Sequence, residues 1–209
     1  MNNDTMMAIS RIEEVNDEGL LPKDRLSDIV DQNGDYFILA SDNTIDFGVL
    51  HSGGKLPEAP LRLASGNSEN GFIHIEKRHG YQIRDNGWMS VLYFIEYVAR
   101  NYTVIKLGEA NDNELGCTNQ TYLLQLTDEH NNTLYVQLSR NTDYYNINSA
   151  GVFRKGYGIK KKTLWSASEV QNSGSATTDN ALQSEPDAEE GSTSNGTASN
   201  VSELKGIEK

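Results

Sequence analysis

The chain has 209 residues, a formal net charge of −12, 36% hydrophobic residues and one cysteine, Cys117. That length allows one or two modest domains, and so low an apolar content leaves part of the chain unable to join a core. No apolar run approaches the ~20 residues of a membrane helix, no basic region leads into an apolar one at the N-terminus, and a lone cysteine excludes an intramolecular disulfide and a thiolate metal cluster; the expectation is a soluble, cytoplasmic protein with no membrane partner.

Residues 1–54 read as an acidic N-terminal segment. Residues 6–15 and 24–30 are amphipathic, with a break at 20–22. Residues 35–40 and 44–50 predict two strands joined as a hairpin by Ser41, Asp42 and Asn43. His51 runs into Ser52, Gly53 and Gly54 and reads as a solvated turn residue. Residues 55–63, with Pro57 and Pro60 around a short apolar run, form an extended lead into the next domain.

Residues 71–80, GFIHIEKRHG, hold two of the four histidines beside Lys77 and Arg78. Helical spacing puts His74 and Arg78 on one face and Phe72, Ile75 and His79 on the other, so that one histidine faces a cleft and the other the apolar side. Gly80 is expected to end this helix as its left-handed residue, with Arg78 and His79 in the last turn where the helix dipole favours cations. A packed His79 beside a solvated Arg78 is the other reading of the same pattern.

Residues 90–100 predict a second helix that faces the core through Val91, Phe94, Ile95 and Val98, with Tyr93 and Tyr97 as packing residues. Short β-branched or alternating runs follow at 103–107, 122–126, 134–138 and 145–150, separated at 128–132 and 141–143 by turn compositions, with His130 at a turn tip. The pattern predicts an α+β fold, helices packed on an antiparallel meander sheet, over residues 55–167. Residues 168–209 are dominated by Ser, Thr, Asn, Gly, Asp and Glu and are expected to be a disordered acidic tail.

The charge is uneven. Residues 1–55 hold eleven acids and four bases, 56–167 eleven and twelve, and 168–209 eight and two. Between residues 144 and 168 stand Arg154, Lys155, Lys160, Lys161 and Lys162 with no acid among them, a composition suited either to phosphate or to a strand edge guarded by lysines.

The order LPEAPLRL, HIEKRHG, SVLYFIEYVARNY, TYLLQL, LYVQLSR, YYNINSAGVFR and KKKTLW, spread over residues 55–167, resembles the phage barnase/EndoU/colicin/RelE-like nucleases found in polyvalent phage and mobile-element proteins. The resemblance implies a barnase/RelE-like helix-on-sheet domain and RNA, tRNA included, as the substrate. It also implies an immunity or partner protein, and catalysis by side chains with no metal or other cofactor. His74 and His79 match the helical histidine pair of that family and become the acid and base.

Cleavage of this kind needs a base for the 2′-hydroxyl, an acid for the leaving 5′-oxygen and cations for the phosphate, and histidine serves either proton role near neutrality. Arg140, at the end of a predicted strand, is a candidate phosphate clamp. Asn148 and Ser149 are candidates to orient phosphate or base, with Arg154, Lys160, Lys161 and Lys162 adding charge. Strict alternation puts Asn146, Asn148 and Ala150 on one face and Ile147 and Ser149 on the other, which leaves the cleft face undecided. Two other readings stand beside the ribonuclease: a decayed nuclease-fold module that binds a partner protein, and a metal-dependent hydrolase, disfavoured because Glu76 points away from His74 on a helix.

Overall fold

The computed structural model describes residues 20–51, 56–112 and 118–168. A 3-10 turn at Lys23–Arg25 leads into strands β1 (Leu26–Val30), β2 (Tyr36–Ile38), β3 (Asp46–Leu50) and β4 (Ala59–Arg62). Helices α1 (Gly71–Asp85) and α2 (Val91–Asn101) follow, and then β5 (Val104–Asp112), β6 (Thr118–Thr127), β7 (Thr133–Arg140), β8 (Tyr145–Phe153) and β9 (Thr163–Ser166). Residues 6–15, Cys117 and all but the first residue of the expected acidic tail lie outside the described residues.

The architecture is α+β, two helices packed on a curled mixed sheet of order β3-β4-β8-β7-β6-β5-β9, with β1 and β2 as a separate antiparallel pair. Strands β5 to β8 each pair antiparallel with the next, but β4 lies parallel to β8 through Leu61↔Tyr145 and Arg62↔Asn146, so the sheet is not the purely antiparallel one expected. β9 was not anticipated; it adds to the far edge of β5. One face of the sheet presents Leu124, Leu134, Val136, Leu138, Ile147, Ala150 and Val152 to Phe72, Ile75 and Ile83 of α1 and Phe94, Ile95 and Val98 of α2, all buried in one core. Phe47, Leu50 and Leu61 join that core at 0% exposure, and β3 pairs with β4, so sheet and core run through the division expected at residue 54.

The α2 helix follows its sequence closely. The Ser90 hydroxyl accepts a hydrogen bond from the Tyr93 N–H at 3.1 Å and caps the first turn, and Val91, Phe94, Ile95 and Val98 are buried. β3 crosses α2 so closely that a Cβ on Gly48 would sit 2.7 Å from the Ala99 carbonyl oxygen. Glu96, 8% exposed, accepts from the Ser41 N–H at 3.0 Å, from the Ser41 hydroxyl, and from Arg100 at 3.0 Å. That carboxylate ties the 40–44 turn to α2.

The hairpin expected across this turn does not form. The Ile38 N–H donates to the Leu63 carbonyl at 2.8 Å and the Ser65 N–H to the Tyr36 carbonyl at 2.7 Å, which occupies the edge of β2 that β3 would need. β2 therefore pairs with β1 on its other side, and the amphipathic residues 24–30 are a 3-10 turn followed by a strand. The α1 helix also departs from expectation, continuing past Gly80 to Asp85. Gly80 is buried in mid-helix with Glu76 and Arg84 around it, and their 2.7 Å ion pair spans the turn where the helix was expected to stop.

At its start α1 has no side-chain cap. The Phe72 and Ile73 N–H groups donate instead, each at 3.0 Å, to the carbonyls of Ala64 and Ser65 just after β4. This needs Gly71 at φ +77°, where a Cβ would come within 2.8 Å of the Ala64 oxygen. The start of α1 is thus fixed beside the end of β4, which places its two histidines.

Candidate functional site

The sheet has a second face, opposite the helices. Its residues are read from the register: Thr121, Leu123 and Gln125 of β6 stand opposite Ser139, Gln137 and Tyr135 of β7. Ser139 and Gln137 in turn stand opposite Asn146 and Ser149 of β8. The register moves by one residue between Gln137↔Ser149 and Leu138↔Ile147, so Asn148 is the extra residue of a β-bulge. This overturns the strict alternation: Ile147 and Ala150 both face the core, while Asn146, Asn148 and Ser149 all belong to the polar face. Ser149 is therefore not a small core residue. The Ser139 hydroxyl donates to Asn148 Oδ1 at 3.3 Å, and the Ser149 side chain is hydrogen-bonded to the Tyr135 hydroxyl. Burial, with the neighbouring Tyr157 phenol, pushes the Tyr135 hydroxyl up to about 12 against the pull of that hydrogen bond.

At one end of this face lies an open cleft of about 410 Å³. Its floor is Thr121, Gln137, Ser139, Asn146 and Asn148; the β1–β2 turn contributes Asp31 and Asn33 to one wall, and Glu69 and Asn70 before α1 contribute to another. Among the described residues no Lys, Arg or His lines it. Asp31 is engaged in its own turn, accepting from the Asn33 and Asp35 N–H groups at 2.8 and 3.0 Å.

The α1 helix runs alongside β8. Asn70 and Gly71 line the cleft with Asn146 and Asn148, and about three turns later Gln82 donates to the Val152 carbonyl at 2.6 Å. A Cβ on Gly151 would lie 3.3 Å from Tyr135 and 3.4 Å from Gln82 Oε1, so this flank of the helix borders the polar face. His79, three residues before Gln82, lies on the same side of the helix.

The expected separation of the two histidines does not hold, because their rings meet edge to face with centroids 5.8 Å apart. His74 Nδ1 is 2.9 Å from the Ser68 carbonyl oxygen, which can only accept, so Nδ1 carries a proton and Nε2 is left for other work. Partial burial, then His74 and the Arg78 guanidinium, hold His79 below its ordinary pKa of 6.5. At neutral pH its imidazole is uncharged and able to accept a proton. Neither ring lines the cleft.

The basic loop lies at the other end of the polar face. Tyr157 stacks on Phe153 with centroids 4.0 Å apart and meets Tyr135 at 5.5 Å, while Lys106 donates to the Gly158 carbonyl at 2.9 Å. Arg154, Lys155, Lys160 and Lys162 are exposed around this anchor, and Lys161 pairs with Glu109 at 3.4 Å. Arg140 is elsewhere. Its register partner is Tyr145, on the helix-packed face; its guanidinium sits 4.8 Å over the Tyr145 ring and donates to the Thr142 carbonyl at 2.9 Å. The expected phosphate clamp is thus directed away from Asn148 and Ser149.

The structure therefore brings Asn148, Ser149, His74, His79 and the basic loop to one face and its border, and leaves Arg140 out. Asn33, Asn70 and Gln137, all part of the cleft, were not singled out in the sequence, and Asn146 was placed on a face with Asn148 without a role. Alternation of Thr121, Gln137 and Ser139 with the buried leucines was the available signal for two of the floor strands. Among the described residues no helix is long and apolar enough to cross a membrane. No family model, curated protein or solved structure matches the chain.

Proposed function

We propose that the chain is an RNA endonuclease in which His79 takes the proton of the RNA's 2′-hydroxyl and His74 gives one to the departing 5′-oxygen. The observation that carries this reading is the ring contact of His74 and His79 on the border of the polar face, with His79 held below its ordinary pKa. General acid–base catalysis requires two groups in opposite protonation states at working pH. A half-buried, uncharged His79 suits the base; His74, with one proton held on Nδ1 by the Ser68 carbonyl, is the acid in its imidazolium form, which carries the second proton on Nε2. Attack of the 2′-oxygen on phosphorus forms the 2′,3′-cyclic phosphate and breaks the bond to the 5′-oxygen, which leaves as a hydroxyl with the proton from His74. Arg78 beside the pair and the exposed cations of the 154–162 loop supply the field that attracts the strand.

A second reading, an interaction module on a nuclease-like sheet, is favoured by the position of Arg140 over Tyr145, on the face away from Asn148 and Ser149. Incubation of the full chain with mixed RNA separates the two. The ribonuclease gives 2′,3′-cyclic phosphate and 5′-hydroxyl ends, leaves DNA intact because it lacks the nucleophile, and loses on the order of 10²–10⁴ in rate in His74→Ala or His79→Ala. RNA left intact by folded protein, or equal rates in the double variant, would reject the enzyme in favour of the module.

A further inference from the structure

The lining of the cleft at the start of α1 restricts what can fill it. A phosphate inside would lose hydration beside Glu69 and Asp31 with no Lys, Arg or His among the described lining residues to replace it. No aromatic ring lines it among those residues, so a nucleobase finds no stacking surface there. The floor and one wall do offer unspent hydrogen-bonding groups. Among the described residues the side-chain amides of Asn70, Gln137 and Asn146 make no hydrogen bond, and Asn148 uses only Oδ1, on Ser139. Gln137 and Asn146 are also half-buried, and each amide offers an acceptor oxygen and a donor NH₂ that one ligand able both to donate and to accept can engage together. Glu69, also in the lining, has a carboxylate with no partner among the described residues.

We infer that this cleft binds an uncharged vicinal diol, the sugar ring of a ribonucleoside or of a free saccharide. Each hydroxyl both donates and accepts, so a neighbouring pair satisfies an amide through its NH₂ and its carbonyl together, and a carboxylate accepts from a sugar hydroxyl as acidic residues do from ribose. The volume of about 410 Å³ lies in the range of small-ligand sites. If the ligand is ribose, the inference rests on the RNA reading and seats the 3′-terminal sugar of a strand, whose 2′- and 3′-hydroxyls are both free, with the phosphates outside.

The test is a titration of the full chain followed by amide NMR shifts, which needs no cleavage and so succeeds or fails independently of the ribonuclease reading. The probes are methyl riboside, methyl glucoside, adenosine, 2′-deoxyadenosine and adenosine 5′-monophosphate. The expected result is that ribosides, glucoside or both move the amides of Asn70, Gln137 and Asn146. Response to ribosides alone marks ribose as the source, and response to the glucoside marks a saccharide. For a ribose site, 2′-deoxyadenosine binds about 2–10-fold more weakly than adenosine, the worth of one hydrogen bond. The 5′-monophosphate should bind no more tightly than adenosine. The double variant Gln137→Leu/Asn146→Leu, with the shifts of its core amides unchanged, should lose the response. The inference is overturned if neither methyl glycoside moves the cleft, if the monophosphate binds about tenfold more tightly than adenosine, or if the folded double variant responds like the wild type.

Discussion

Glu96→Ala is the substitution whose cost the structure defines best. Glu96 is 8% exposed and serves three donors: the Ser41 N–H at 3.0 Å, the Ser41 hydroxyl, and Arg100 at 3.0 Å. Arg100 keeps a second partner, Asp42, at 2.7 Å, so its loss is small. The Ser41 N–H and hydroxyl belong to the turn that sends the chain from β2 to β3; Ser41 is exposed, so water takes the place of the carboxylate and the loss is the net worth of hydrogen bonds to a charged group, about 1.5–3 kcal/mol. Loss of the packed methylenes adds roughly 1 kcal/mol. The total of about 2.5–4 kcal/mol corresponds to a melting temperature lower by on the order of 10 °C for a folded part of this size. Differential scanning calorimetry measures it, with Glu109→Ala as the control, since the exposed Glu109–Lys161 pair is worth less than about 1 kcal/mol. A Ser41→Ala/Glu96→Ala cycle should return a coupling of about 0.5–3 kcal/mol. Melting of Glu96→Ala within 2 °C of the Glu109→Ala control, a difference of roughly 1 kcal/mol or less, would refute this role for Glu96.

Three further outcomes are expected. Gly71→Ala forces a Cβ to 2.8 Å from the Ala64 oxygen at φ +77°, so it should cost roughly 1–3 kcal/mol in a urea titration, more than Gly87→Ala, where φ is also positive but the space is open. Because burial, His74 and Arg78 lower the His79 pKa, the fold favours its neutral ring: that stability is fully present above the ordinary value of 6.5 and is lost as pH falls toward the depressed folded value. Urea curves taken across that acid-side window should show a smaller loss in His79→Gln than in the wild type, and parallel losses would remove His79 as the cause. Replacing exposed Lys160 and Lys162 with glutamine should lower the log–log salt slope of single-stranded RNA binding by roughly 1.4, about 0.7 for each phosphate no longer neutralised; an unchanged slope makes this loop a solvated edge.

Local chemistry decided much of this protein from sequence alone. The α2 helix is legible because Ser90 supplies a cap and Val91, Phe94, Ile95 and Val98 repeat at helical spacing. The strands at 122–126, 134–138 and 145–150 are legible because their apolar residues alternate, although each strand extends further than its apolar run. The histidine-bearing helix was visible, but its end was not: Gly80 resembles a terminator, and only the Glu76–Arg84 pair and burial against the core carry the helix on to Asp85. Pairing partners were beyond local reading. β2 and β3 look like a hairpin until the segment after β4 takes the edge of β2, a pairing between residues more than twenty positions apart. The polar face depended on one residue more, since strict alternation divides Asn148 from Ser149 and the bulge at Asn148 unites them. Arg140 illustrates the same limit in reverse. Its type and its place at a strand end suit phosphate, but the face it occupies is set by register, and register is a property of the assembled sheet.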